Sequence, residues 1–73
     1  MKIKANFDQF QTSENGVQYA VFRSPSVDVP MKIKVTDFNI DELKAYEKNP
    51  NITVRIEVHA VHYNGQNFLG YSL

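Results

Sequence analysis

The sequence predicts a mainly β domain with one helix (α+β), built from five antiparallel strands. Three observations carry this prediction. Apolar and polar residues alternate in several segments, such as residues 2–7, and a period of two is typical of strands with one buried face. The dipeptide Asn-Gly occurs twice between such segments and favours hairpin turns. One further segment, near residue 40, has the start signals of a helix.

The first strand and its return strand form a predicted hairpin. The inward face of the first strand holds Ile3, Ala5 and Phe7. The alternation slips near Gln9-Phe10, which indicates a β-bulge or the end of the strand. Asn15-Gly16 tolerates positive φ and therefore predicts the turn. The return strand covers residues 17–23, and we expect its more apolar, inward face to hold Val17, Tyr19 and Val21.

A loop and a third strand are predicted next. Pro25 and Pro30 donate no backbone hydrogen bond, so residues 24–30 are interpreted as a loop or an irregular edge. Alternation resumes over residues 31–36, where the inward parity belongs to Met31, Ile33 and Val35.

The only helix is predicted from Ile40 to about Lys48. Asn39 is a favourable N-cap, and Glu42 three residues later completes the pattern of a capping box. Phe38 before the cap has the spacing of a hydrophobic staple to the first turns of the helix.

The last two strands, residues 53–63 and 67–73, flank Asn64-Gly65, a second hairpin signal. The order strand–strand–strand–helix–strand–strand is the one that OB-folds use, in a small, partly open barrel. An open antiparallel sheet with the helix packed on one face is the alternative. With 73 residues, the chain is long enough for a single domain, residues 1–73.

Charge is balanced overall but segregated along the chain. Eight basic and eight acidic residues give a net charge of zero. Six basic residues and one acidic residue fall in the segments 1–7, 17–23, 31–36 and 53–63. The predicted sheet is therefore basic, and the loops and helix are acidic.

A basic sheet face with exposed rings favours a small, non-catalytic binding domain for single-stranded DNA or RNA, because cations neutralise phosphates and rings stack on bases. The alternative is that outward lysines only keep a small β protein soluble. On their outward parity, the candidate nucleic-acid-binding residues are Lys2, Lys4, Phe22, Lys32, Lys34, Arg55, His59 and Tyr63.

The C-terminal strand predicts a different class of function. Residues 68–73 carry no charge and two aromatic rings, and an uncharged edge strand favours pairing with another chain. The alternative function is therefore a protein-interaction or inhibitor module, of the kind found on phages and mobile elements, or a homodimer. A strand that simply closes the core is the plainer interpretation. The candidate interface residues are Phe68, Tyr71 and Leu73.

Catalysis, metals, cofactors and membranes are not expected. His59 and His62 are three residues apart on a strand and point to opposite faces, so they do not chelate one ion. There is no cysteine, no nucleophile elbow, no phosphate loop and no dinucleotide fingerprint. The longest apolar run, Tyr19 to Phe22, has four residues, whereas a membrane span needs about 20. The expected compartment is cytoplasmic.

Overall fold

A computed structural model describes residues 1–73 and confirms the predicted fold class. The strands are β1 (Lys2–Thr12), β2 (Gln18–Ser24), β3 (Val27–Lys34), β4 (Val54–Tyr63) and β5 (Gln66–Ser72), and helix α1 (Ile40–Lys48) lies between β3 and β4. All pairings are antiparallel, in the sheet order β3-β2-β1-β4-β5. The sheet is open: its edge strands, β3 and β5, approach within 8 Å between Cα atoms but share no hydrogen-bonded ladder.

The central strand, β1, pairs with two neighbouring strands, one along each half of its length. Its first half pairs with β4, from Lys2 opposite Glu57 to Ala5 opposite Val54. Its second half pairs with β2, and the register shifts between Phe7 and Gln9. A bulge at this point adds one residue to β1 and bends it. The predicted slip is thereby confirmed, slightly earlier in the chain than the sequence indicated.

The core lies on one face of the sheet, which we call the inner face, beneath α1. It is built almost entirely from alternate strand positions and one helix residue: Ala5, Phe7, Ala20, Phe22, Met31, Ile33, Leu43, Val54 and Ile56. Full burial of one large apolar side chain contributes about 1.5–3 kcal/mol. This single layer is therefore the main hydrophobic contribution to the stability of the chain.

Phe22 belongs to this core, and the prediction that it points outward is wrong. Its ring is fully buried and meets Phe7 and Tyr46 edge-on, with centroid separations of 5.7 and 6.3 Å. Both parities of β2 are apolar, so hydrophobicity alone did not decide between them. The decisive residue is Arg23, which shares its parity with Tyr19 and Val21 and is exposed.

The third strand begins earlier than expected, at Val27. The register between β2 and β3 shifts between Phe22 and Ser24, and Ser24 then pairs with Val27. Pro30 is tolerated because β3 is an edge strand, where a missing N–H need not interrupt a ladder. The segment is therefore an irregular edge rather than a loop.

Helix α1 has its predicted bounds, but its N-terminus is built differently. The backbone N–H of Thr36 donates to Oδ1 of Asn39 at 2.8 Å, and Nδ2 of Asn39 donates to the carbonyl oxygen of Lys34 at 3.0 Å. The Asn39 side chain thus faces back along the chain and makes no cap hydrogen bond to the helix. Phe38 is fully exposed. The capping box and the hydrophobic staple are therefore absent.

The two Asn-Gly sequences form different turns. Asn64 and Gly65 both have positive φ, 51° and 76°, as a two-residue hairpin turn requires. In the first hairpin only Gly16 does, at 82°. There the connection is a longer loop, closed by a hydrogen bond of 2.8 Å from the N–H of Ser13 to the carbonyl oxygen of Val17.

The second hairpin extends beyond the rest of the sheet. The N–H of Val58 donates to the carbonyl oxygen of Met1 at 2.8 Å, and after that residue β4 pairs with β5 alone. We call residues 59–69 the arm. The Cα radius of gyration is 12.3 Å, against about 11 Å for a compact chain of this length. A projecting arm agrees with that excess.

Candidate nucleic-acid interface

Five of the predicted basic residues share the face of the sheet opposite the core, which we call the outer face. All five are exposed, and they fall into two groups. The first group lies on β1 and β4, where Lys4 is directly opposite Arg55 and Lys2 stands two residues before Lys4, at the start of β1. The second group is Lys32 and Lys34, on the edge strand β3.

The group on β3 lies beside an aromatic residue that the sequence interpretation missed. Tyr19 of β2 is half-buried and directly opposite Lys34, and Val21 is opposite Lys32. The expectation that Tyr19 and Val21 face the core is wrong, because they occupy the outer parity of β2. Val21 is nevertheless buried, although it lies outside the core cluster. The exposed Arg23 on the same parity was the signal that places Tyr19 on the outer face.

The two basic groups are separated by an ion pair. Nε of Arg23 lies 2.9 Å from Oδ2 of Asp8, the residue at the bulge. On β1, Lys4 of the first group is about 16 Å from Gln9. Gln9 is directly opposite Val21 of β2, and Val21 is directly opposite Lys32 of the second group. The outer face therefore carries two basic patches with a neutralised arginine between them.

None of the five basic side chains has an acidic partner. The ion pairs within 4.0 Å are the one at Arg23 and one of 3.3 Å between the amino group of Met1 and Glu57. With the observed strand bounds, the strands hold six basic and three acidic residues, because Asp8 and Asp28 lie within them. The sheet is thus less basic than the sequence segments indicated, and Glu57 is directly opposite Lys2, but none of its lysines forms an ion pair within 4.0 Å.

His59 and Tyr63 share the outer parity of β4 with Arg55, but they lie on the arm. Both are exposed. A Cβ atom at Gly70, directly opposite His59, would lie only 2.6 Å from Nε2 of His59. Glycine at this position therefore lets the imidazole ring lie across β5.

The three residues of the C-terminal strand singled out for a protein interface have different environments. Phe68 is on the arm and about half exposed. Tyr71 is partly buried and packs against the core, in agreement with the plainer interpretation of this strand. Leu73 follows the end of β5 and is 38% exposed. Only Phe68 thus lies on the part of β5 that stands clear of the body of the sheet.

A perturbed tyrosine lies on the helix. The hydroxyl of Tyr46 donates to Oε1 of Glu42 at 2.7 Å. This hydrogen bond, together with partial burial and the negative charge of Glu42, raises the pKa of Tyr46 to about 12. The pair ties two turns of α1 together at the edge of the core, on the opposite side of the sheet from the lysines.

The candidate site is a surface. The structure contains no pocket and no cluster of three metal-ligating side chains. No helix is long and apolar enough to span a bilayer. Comparison with protein-family models, with curated proteins and with solved structures gives no match.

Proposed function

We propose that this domain binds single-stranded DNA or RNA on the outer face of its sheet. The observation that carries the proposal is the set of exposed basic side chains without acidic partners: Lys2, Lys4, Lys32, Lys34 and Arg55. Ammonium and guanidinium groups on a face gain from replacing the counterions of a polyphosphate chain. A cation already paired with a carboxylate gains less, because its partner must first be displaced.

Aromatic side chains on the same face support a single strand over a duplex. Tyr19 stands between the strands that carry Gln11 and Lys34, so a base stacked on its ring places its phosphate near a lysine. Stacking of one base on one ring contributes about 1–3 kcal/mol. A strand that continues along β4 meets His59 and Tyr63 on the arm.

The order of elements gives independent support. It is the order used by OB-folds, in which oligonucleotides bind to the face of the second and third strands and to the loops that flank it. Here β2 and β3 carry Tyr19, Lys32 and Lys34 on that face. Because a fold by itself does not define a function, the charges carry the proposal and the fold agrees with it.

The test is fluorescence anisotropy of a labelled oligothymidine and a labelled oligouridine, each about 16 nucleotides long, at several salt concentrations. We expect dissociation constants of about 1–100 µM at about 50 mM salt. Contacts with three to five phosphates give a log–log salt slope of roughly −2 to −3.5. Affinity should therefore fall about 20- to 130-fold between about 50 and 200 mM salt.

A matched pair of variants locates the site. Lys32→Glu with Lys34→Glu should abolish binding, whereas Lys44→Glu with Lys48→Glu on α1 changes the net charge equally and should retain most of it. Circular dichroism checks that both variants fold. The proposal is wrong if the wild type shows no binding at about 50 mM salt, or if the two double variants lose affinity equally.

A further inference from the structure

The arm is the one long stretch of the chain that its own fold leaves uncovered. All eleven residues from His59 to Leu69 are exposed. Among them Tyr63 and Leu69 are about two-thirds exposed and Phe68 about half. No Asp, Glu, Lys or Arg occurs from Val58 to Leu73. The arm therefore exposes aromatic and aliphatic side chains among uncharged polar ones and two histidines, and neither of its faces carries an acidic residue, a lysine or an arginine.

Two strands standing alone are a weak structure. Beyond Val58, β4 has only β5 as a neighbour, and β5 is an edge of the sheet. An isolated two-stranded hairpin is marginally stable at best in water, and a free edge presents unpaired N–H and C=O groups to another strand. Both features favour a partner that covers the arm.

We propose that this partner is a second copy of the chain, packed arm against arm around a two-fold axis, with the free edge of β5 at its centre. Across a two-fold axis the same patch meets itself, so any charged side chain near the axis faces a like charge. The arm avoids this repulsion because it has no Asp, Glu, Lys or Arg. The other exposed surfaces do not: β3 carries Asp28, Lys32 and Lys34, and α1 carries acidic and basic residues throughout.

The size of the arm suits such an interface. A stable dimer buries about 800 Å² on each partner, which is about one seventh of the 5428 Å² surface of this chain. The arm holds eleven of 73 residues, about the same fraction of the chain, and all of them are exposed. Phe68 and Leu69, neighbours on β5 with opposite parities, supply apolar groups on both sides of the shared edge.

Sedimentation equilibrium between about 1 and 100 µM tests the dimer, with two variants of equal charge change. Phe68→Lys with Leu69→Lys places cations on the edge of β5. Phe38→Lys with Ile52→Lys replaces two exposed apolar residues elsewhere. We expect the wild type to dimerise, the arm variant to weaken the dimer at least about 30-fold, and the control variant to leave it within about threefold.

Cross-linking gives a second readout that does not depend on disrupting the fold. The chain has no cysteine, so a single introduced thiol reports its own contacts. We expect Asn67→Cys to form a disulfide-linked dimer under mild oxidation and Phe38→Cys to remain monomeric. A wild type that sediments as a monomer at about 100 µM overturns the proposal, and so does a dimer that the control variant dissociates but the arm variant does not. Either result leaves the nucleic-acid proposal standing.

Discussion

Strand β4 runs through two regions, the arm and the rest of the sheet, which we call the body. One parity of β4 is buried in the body and exposed in the arm. Val54 and Ile56 are buried, whereas Ala60 and His62, on the same parity, are exposed. The first pair lies beneath α1 and beside β1, and the second pair has only β5 as a neighbour. Alternation therefore defines the two faces of a strand, but another layer of structure decides whether either face is buried.

The largest expected difference between body and arm is in stability. Phe22→Ala removes a fully buried ring and should lower the free energy of unfolding by about 3–5 kcal/mol. The total for a chain of this length is about 4–11 kcal/mol. Phe68→Ala on the arm should change it by no more than about 0.5 kcal/mol. Urea unfolding at a concentration where the wild type is monomeric measures both.

Equal losses in the two alanine variants would contradict the division into body and arm, since Phe68 would then have to contact the core. A loss of stability for Phe68→Ala that grows with protein concentration would sharpen the distinction between body and arm. That dependence is expected if the ring is buried only against a second copy.

A smaller effect compares two asparagines in connections. Asn39 holds the loop before α1 through two side-chain hydrogen bonds, so Asn39→Ala and Asn39→Gly should each cost about 1–2 kcal/mol. Asn64, in the turn of the arm, has a positive φ of 51°, the backbone conformation that this turn requires. Asn64→Ala should cost about 1 kcal/mol, whereas Asn64→Gly should be neutral within about 0.5 kcal/mol.

Thermal unfolding of these four variants separates the two roles. Glycine preserves the backbone conformation of the arm turn but not the side-chain bonds of the loop, so it rescues one site only. If Asn39→Gly proved as stable as the wild type, the two hydrogen bonds of Asn39 would contribute nothing measurable.

The last comparison concerns Tyr46 at the rim of the body, whose effect on stability changes only above about pH 10. Its pKa of about 12 means that folding favours the protonated phenol. The corresponding stabilisation is fully present below pH about 10, the ordinary tyrosine pKa, and is lost as the pH rises through about 12. Glu42→Gln removes the carboxylate and should lower the pKa of Tyr46 toward 10. Ultraviolet titration of the wild type and this variant measures the shift, and an unchanged titration curve would argue against the hydrogen bond.

Local signals explain what the sequence predicted well. The bounds of α1, the bulge in β1 and the turn at Asn64-Gly65 depend on residues within a few positions of one another. The outward parity of the five basic residues also follows from alternation, because each of them is flanked by apolar residues. These predictions needed no knowledge of which strands are neighbours.

The predictions that were wrong depend on the third dimension. Both parities of β2 hold apolar residues, and Arg23 is its only charged residue, so one charge was the only local signal, and the side on which Phe22 lies is fixed by its packing in the core beneath α1. Phe38 is fully exposed, and the Asn39 side chain bonds the carbonyl oxygen of Lys34 instead of capping the helix; the residue types are compatible with either hydrogen-bonding pattern. The separation of the lysines into two groups results from the register of five strands, and that register is not encoded in any one of them.

The bulge in β1 has a consequence for how this chain tolerates change over generations. Asp8 is the extra residue that keeps Lys2 and Lys4 on the same face as Gln9 and Gln11, and Phe7 on the same face as Phe10. A substitution at Asp8 alters one exposed side chain and its pairing with Arg23. A deletion there reverses one half of the strand, sending lysines into the core or phenylalanine into water. Natural variants are therefore expected to differ in the identity of this residue while conserving the number of residues between Lys4 and Phe10.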